Sequence, residues 1–394
     1  ARDYYTMKIL FLTFYFEPDL CAGSFRNTPL FRELLRQMNE KDWIHVITTQ
    51  PNRYQSFHVE GQAREIGDNY RIDRIRIPEH KSGFVDQARS FRVFYKEALR
   101  LAGKERYDLV YASSSRLFTA FLGRRIAGKQ GIPLYLDIRD IFVDTIKDIF
   151  KGRKMIWIPA GICFEWIERY TFSGAKHINL VSEGFKMYFE KYRKPVYSYF
   201  TNGIDDIFLD VPKSKRQAAE VKVITYAGNI GSGQGLEKVI PMAAKKLGDR
   251  YFFRIIGDGG IKTLLRDRIK ELGVRNVELL DPVSREKLIG YYNDSDFLFL
   301  HLNDLEAFKK VLPSKLFEYA AFDKPIIAGV GGYASQFIRE NLSNYILFAP
   351  TDVESMVEQI LKFDRGNQEQ GDFVNKFARK NIMKEMARSI LECR

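Results

Sequence analysis

Val221-Lys222-Val223-Ile224-Thr225-Tyr226-Ala227-Gly228-Asn229-Ile230-Gly231-Ser232-Gly233-Gln234-Gly235-Leu236 joins an apolar run to a glycine-rich turn and then to a helical stripe. An apolar run that ends in such a turn and leads into a helix is how a βαβ unit opens. Four glycines in one turn cost order unless the backbone must pass close to something. Backbone N–H groups ahead of a helix start suit a diphosphate; the alternative is a flexible turn. Gly228, Asn229, Gly231, Gln234 and Gly235 are therefore candidate ligand-binding residues.

Outward from this stretch the same alternation continues in both directions, which is the pattern of parallel sheets covered by helices. Downstream, strand-like runs fall at Phe252–Ile256, Val277–Leu280, Phe297–His301, Pro325–Ala328 and Ile346–Phe348. Helical stretches over 236–246, 261–272, 285–292, 314–321 and 353–363 separate them. Upstream, strand-like runs stand at 8–14, 43–49, 72–77, 109–112, 133–138, 177–181 and 196–200, with helices at 25–38, 84–101, 117–127 and 162–172. At 394 residues the chain exceeds what one core usually supports. Two Rossmann-like domains are expected: 7–205, then 206–372 after a polar linker near Val211–Glu220, with 373–394 a helix packing back on the first. That last helix would carry Phe377, Met383, Met386, Ile390 and Leu391 on one face. Ligands of open parallel sheets sit at the carboxyl ends of the strands, so both halves would offer loops to one cleft.

Further turns carry chemistry. Ile256-Gly257-Asp258-Gly259-Gly260 follows the next strand, where a ribose or base would meet the strand end; Gly257 and Gly259 are candidates there, and a plain structural turn explains each as well. Phe308-Lys309-Lys310-Val311-Leu312-Pro313-Ser314-Lys315-Leu316-Phe317-Glu318-Tyr319-Ala320-Ala321 places Pro313 at a helix boundary. Ser314 and Lys315 then lie at the positive helix end, with Glu318 one turn on. In the first half, Gly23-Ser24-Phe25-Arg26 follows the opening strand and starts a helix. Gly23, Ser24 and Arg26 read as an acceptor or phosphate loop, or as an ordinary βα turn.

Gly228–Leu236, Ile256–Gly259, Leu312–Tyr319 and Lys324–Ile327 together resemble retaining glycosyltransferases of family 4, in the bacterial branch that builds surface polysaccharides. Asp137-Ile138-Arg139-Asp140, Val181-Ser182-Glu183-Gly184-Phe185 and Asn202-Gly203-Ile204-Asp205 are similar to that branch as well. The resemblance implies a GT-B fold, α/β, with two Rossmann-like domains whose parallel sheets face across a cleft and a C-terminal helix that crosses back. It implies a nucleotide-sugar, UDP-linked, as co-substrate in the second domain, with Glu318 on the ribose hydroxyls and Ser314 and Lys315 near the diphosphate. Transfer to a glycan or lipid-linked acceptor with retention would follow, Asp140 or Asp137 orienting the acceptor and Arg139 either helping or holding the loop in a salt bridge. Backbone N–H groups of 231–235 with Lys315 would stabilise the departing diphosphate without a metal.

The resemblance also has departures. Relatives carry an acid eight residues before the ribose glutamate, where this chain has Lys310, and basic residues in the glycine loop, where it has Asn229 and, approximately, Gln234. Lys310 or Lys315 would then supply the missing charge. Asp140, Lys310 and Lys315 are the candidate catalytic residues.

Composition narrows the partners. Lysine and arginine number 62 against 50 acids, a formal charge of +12, which favours anionic partners. Cys21, Cys163 and Cys393 are few and far apart, so a reducing cytosolic setting is expected, with no zinc-like Cys/His spacing. No apolar stretch is long enough to span a bilayer. The first six residues stand before Met7 and are read as an addition or a misplaced start. Basic residues stand beside aromatics in Lys81–Arg106 and Lys147–Arg169. They suit peripheral contact with the inner, anionic face of the cell membrane, and core-packed helices with snorkelling basic side chains suit the same pattern. A nucleotide-sugar epimerase or a phosphorylase could share the scaffold. A nucleic-acid-binding protein is prompted only by the charge and has no motif behind it, so no nucleic acid is expected.

Overall fold

The computed structural model describes residues 7–52, 60–78, 84–114, 117–143, 154–212, 219–363 and 372–394. Contacts divide the chain into two units: unit 1 runs to Asn202 and takes in Lys380–Arg394, and unit 2 is Gly203–Arg379. Most of the stretch expected as a linker, residues 213–218, lies outside the described residues.

Unit 1 is built on β1 (Lys8–Thr13), β2 (Trp43–Thr49), β3 (Arg64–Ile66), β4 (Tyr70–Ile75), β5 (Leu109–Ser114), β6 (Leu134–Ile138), β7 (His177–Leu180) and β8 (Val196–Ser198). Their order across the sheet is β3-β4-β2-β1-β5-β6-β7-β8. Every pairing is parallel except β3 with β4. All residues of β5 and β6 are buried, as expected of strands covered on both faces, which read as continuous apolar runs. β3 escaped the sequence reading because it is three residues long, two of them exposed, with no apolar alternation to betray it.

Unit 2 repeats the plan with β9 (Lys222–Ala227), β10 (Tyr251–Ile256), β11 (Val277–Leu280), β12 (Phe297–His301), β13 (Ile326–Gly329) and β14 (Tyr345–Phe348). The order is β11-β10-β9-β12-β13-β14, all parallel. A helix at Gly332–Asn341 was not expected. Ala334, Phe337 and Ile338 carry the helical spacing, and the glycine pair at its start conceals it.

The C-terminal helix is two helices, not one. Asp372–Phe377 packs Phe373 and Phe377 into the unit 2 core. Arg379–Leu391 buries Met383, Met386, Ala387 and Ile390 in the unit 1 core against Ile9, Phe11 and Leu30. The break is Ala378, where the chain pairs with Ile204: Ile204 N–H donates to the Phe377 carbonyl at 2.7 Å, and Arg379 N–H donates to the Ile204 carbonyl at 2.7 Å. Those donors and acceptors are lost to any continuous helix. Asp205 seals the join by accepting from Arg379 at 2.9 Å and from Arg285 at 2.7 Å.

Candidate functional site

In unit 2 the strand order reverses between β9 and β12, whose following loops leave in opposite directions. Ligands of open α/β sheets occupy the crevice at such a point. Gly228 to Gly235 follow β9, and the helix Leu236–Leu247 begins directly after them. Gly235 is its N-cap, with φ +58 and no side chain to cap the helix. The loop is held rather than loose. Gln234 Oε1 accepts from the Asn229 amide at 3.0 Å and from Gly231 N–H at 3.3 Å, and Tyr226 donates its hydroxyl to the Asn229 carbonyl.

Two residues at the end of β12, missed in the sequence, pin the loop from outside. His301 Nε2 accepts from Thr351 N–H at 2.9 Å, so its Nδ1–H is the donor to the Gln234 carbonyl at 2.6 Å. Burial pushes this imidazole down to about 4, which keeps it neutral and the tautomer fixed. Asn303 N–H donates to the Gly233 carbonyl and its amide to the Ser232 carbonyl. The available signal was a histidine closing an otherwise apolar strand.

Gly257 and Gly259 have a structural reason to be glycine. Gly257 has φ +148, and a Cβ there would collide with the Gly228 carbonyl; Gly259 has φ +158, and a Cβ there would collide, less severely, with the Ile230 carbonyl. The second glycine cluster thus lets two backbones cross, with Gly228 N–H donating to Ile256 and Ile230 N–H to Asp258.

On the segment that follows β12 is the helix Ser314–Ala320, with Pro313 at its boundary as the N-cap. Lys315 crosses to the glycine loop: its ammonium lies against Gly228 and 5.4 Å from the Tyr226 ring centroid. Glu318, one turn on, is half-buried and accepts from the Tyr292 hydroxyl at 2.5 Å. Lys310 ends a 3-10 turn, Glu306–Lys310, whose Lys309 carbonyl rests on Gly332. From the same turn the Phe308 ring covers Gly233, where a Cβ would stand 2.8 Å from its Cζ. Lys315 thus meets the glycine turn at Gly228, within which Asn229, Gly231 and Gln234 are tied to one another and Gly235 caps the next helix, while Ser314 and Glu318 stand on the helix that carries Lys315. Among the described residues, no group of three or more His, Cys, Asp or Glu could hold a metal ion.

Unit 1 reverses its strand order between β1 and β5, and Gly23 and Ser24 start the helix Ala22–Gln37 there. A Cβ at Gly23 would stand 2.6 Å from Arg139 Nη1, so Arg139 closes over this turn. Arg26 does not fit the phosphate role expected of it. It is 0% exposed, bound to Asp137 at 2.8 and 2.9 Å and to the carbonyls of Phe200 and Thr201. Burial opposes both charges, yet each holds the other: the Asp137 carboxyl stays below its usual range and Arg26 is raised. Asp137 also accepts from Asn179 and Ser113, and cannot orient an acceptor. Asp140, three residues on, lines a pocket at the ends of β5 and β6 with Ser114, Glu168 and the rings of Phe142 and Phe172.

The basic aromatic stretches resolve differently. On Phe84–Ala102, Phe91, Phe94 and Tyr95 stack inward on Phe14, Phe118 and Phe121, while Arg92, Lys96 and Arg100 face solvent. This helix is core-packed. On Lys154–Ser173, Phe164 packs on Phe118 and Phe142, but Ile162 and Trp166 are 67% and 65% exposed beside exposed Arg169. Lys81, Lys147, Lys151 and Arg153 lie outside the described residues, as do the side chains of Phe84, Val85, Lys154, Ile156, Trp157 and Ile158. No described helix is long and apolar enough to cross a membrane.

Residues 210–380 match the family model of glycosyl transferases group 1. The "Putative colanic acid biosynthesis glycosyl transferase WcaI" of Escherichia coli (strain K12) is 36% identical over 108 residues, 27% of this chain and 25% of that protein. The match therefore spans a quarter of the curated relative's length. Among solved structures, Anabaena Alr3699/HepE in complex with UDP-glucose superposes with a TM-score of 0.67 at 13% identity, covering 98% of this chain and 99% of that one. WaaG, a glycosyltransferase involved in lipopolysaccharide biosynthesis, gives 0.65 at 14% identity over 97% and 95%. OtsA gives 0.70 at 10% identity over 98% and 99%. These likenesses show the fold, which is GT-B, and the family match places a group 1 glycosyl transferase domain over nearly all of unit 2.

Proposed function

We propose that this chain is a retaining glycosyltransferase that moves a sugar from a nucleoside-diphosphate sugar, UDP-linked, to a hydroxyl of a glycan or lipid-linked acceptor in bacterial polysaccharide biosynthesis. One observation carries the reading: the Lys315 ammonium lies against Gly228 while Glu318 stands one turn away, both beside the β9/β12 reversal. That is a cation and an uncapped glycine turn for a diphosphate, with a carboxylate acceptor for a diol on the same helix as the cation. The UDP and UDP-glucose complexes of HepE and the family match support the same donor class.

Negative charge grows on the diphosphate as the glycosidic bond breaks. Fixed donors aimed at that charge stabilise the transition state more than the ground state. Backbone N–H groups of Ser232, Gly233 and Gly235, the start of the helix at Ser314, Lys315 and Lys310 are assigned to it, those of Gly231 and Gln234 being spent on one another within the turn. Lys310, in place of an acid, favours an acidic donor sugar. Asp140 in unit 1 is assigned to the acceptor, and Gly23 and Ser24 to its loop. Exposed Ile162 and Trp166 beside Arg169 are assigned to the anionic membrane surface where a lipid-linked acceptor would be met.

The test is calorimetric titration of nucleoside diphosphates. UDP is expected to bind, and Glu318→Ala to weaken it by about tenfold, the loss of a hydrogen bond to a charged group. Failure of every common nucleoside diphosphate to bind overturns the reading.

A further inference from the structure

Glu318 does not act alone. Its Oε1 is occupied by the hydroxyl of Tyr292, a residue of the helix Arg285–Asn293 that is 0% exposed. No other described side chain donates to the carboxylate. A carboxylate only accepts, so the direction of this bond is fixed: the phenol donates. Burial, and then the charge of Glu318, raise the Tyr292 phenol well above its ordinary range, which keeps the proton on the donor. The ring is equally fixed. It meets Tyr319 edge to face at 5.5 Å and Phe322 at 5.1 Å, inside the core of unit 2.

A glutamate at a helix surface samples three side-chain torsions, and ordering it costs up to about 2 kcal/mol. A phenol that cannot move removes most of that freedom before a ligand arrives, so less is lost on binding. It also decides which oxygen is left: with Oε1 held, Oε2 is the one that remains to accept.

We propose that Tyr292 is a positioning residue that sets ribose discrimination, fixing Glu318 so that its second oxygen accepts from a ribose hydroxyl and the site prefers ribonucleotides over 2′-deoxyribonucleotides. The proposal rests on the nucleotide-binding reading above. It differs from a packing role in what it predicts. A packing role would change stability and weaken all ligands alike, whereas a positioning role changes the ratio between two ligands that differ by one hydroxyl.

The experiment titrates UDP and 2′-deoxy-UDP into the full-length protein and into Tyr292→Phe, Glu318→Ala and Tyr319→Phe, with a melting curve for each. Phenylalanine keeps the ring contacts of Tyr292 and deletes only the donor. The wild type is expected to favour UDP by about tenfold, the worth of one charge-assisted hydrogen bond. Tyr292→Phe should cut that preference to about threefold or less, mainly by weakening UDP, with 2′-deoxy-UDP little changed. Glu318→Ala should abolish it. Tyr319, whose hydroxyl accepts from Ala227 N–H rather than serving Glu318, is the neighbouring control, and its phenylalanine variant should keep the wild-type ratio. A Tyr292→Phe protein with an unchanged ratio overturns the proposal, and so does an equal drop in Tyr319→Phe. A wild type that binds both ligands equally overturns it while leaving nucleotide binding in place. A wild type that binds neither overturns the reading beneath it.

Discussion

The two units share a plan and use it in opposite ways at the point where their strands diverge. In unit 1 the charged residues there are spent on one another: Arg26 and Asp137 form a 0%-exposed pair, closed further by Asn179, Ser113 and two carbonyls. In unit 2 Lys315 and Glu318 are half-exposed, and the buried rings set against them, Tyr226 and Tyr292, are neutral. A charge satisfied inside the fold is unavailable to a ligand, while the Glu318 carboxylate, held through one oxygen by a neutral phenol, keeps its charge at the half-exposed edge of the helix. The comparison teaches that the same position in a Rossmann-like sheet serves as a structural rivet in one unit and as a candidate site in the other.

The largest effect that would test this contrast comes from breaking the rivet. Arg26→Met leaves the Asp137 carboxylate buried and unpaired, at a cost of about 3–5 kcal/mol. All three tryptophans, Trp43, Trp157 and Trp166, belong to unit 1. Tryptophan fluorescence during urea unfolding should therefore report the loss, while the UDP affinity of the folded fraction stays within about twofold. A comparable fall in UDP affinity would erase the distinction between the units.

Acid comes next. An unfolded histidine takes a proton near 6.5, whereas His301 refuses it until about 4. Between those values the unfolded state binds more protons, so stability falls as pH drops through that window, by up to about 3 kcal/mol for this group. His177 in unit 1 is held down to about 4 by burial as well, so unit 1 should soften over the same range. His301→Gln should flatten the pH dependence of unit 2, read by amide hydrogen exchange, and leave that of unit 1 alone.

A smaller effect sharpens the account of the glycine loop. Gly257→Ala sets a Cβ against the Gly228 carbonyl at a φ that alanine avoids, costing about 1–3 kcal/mol of local strain. Unit 2 should melt earlier and UDP should bind more weakly. An alanine variant with full UDP affinity would show that the crossing of these two loops does not shape the site.

Much of this was legible in the chain. The parallel sheets followed from the rhythm of apolar runs, because strands buried on both faces need an unbroken apolar sequence. Gly228–Gly235 and Ser314–Glu318 were legible as local motifs. What escaped depends on partners distant in sequence. Tyr292 looks like one more core aromatic until its hydroxyl is seen on Glu318, 26 residues away. Arg26 looks like a phosphate ligand in a glycine turn until Asp137 is found 111 residues on. The reason for glycine at 257 lies in the backbone of 228, and one helix at the C-terminus became two because Ile204 claims the hydrogen bonds around Ala378.

The pairing of Ile204 with Ala378 carries a consequence for synthesis. The chain leaves unit 1 after Asn202 and returns to it at Lys380, and Ile204 pairs with Ala378 inside unit 2, so unit 2 is an insertion whose own ends meet, and all of it has been translated by Arg379. Unit 1 is split: about two hundred residues are made first, yet its core lacks Met383, Met386, Ala387 and Ile390 until the last segment appears. On the ribosome the middle of the chain is therefore complete before the beginning is, and the earliest strands wait with an apolar face uncovered. Domains fold as units when their residues are present, so a chain cut just after Arg379 should retain a folded unit 2 beside an unit 1 that has never closed.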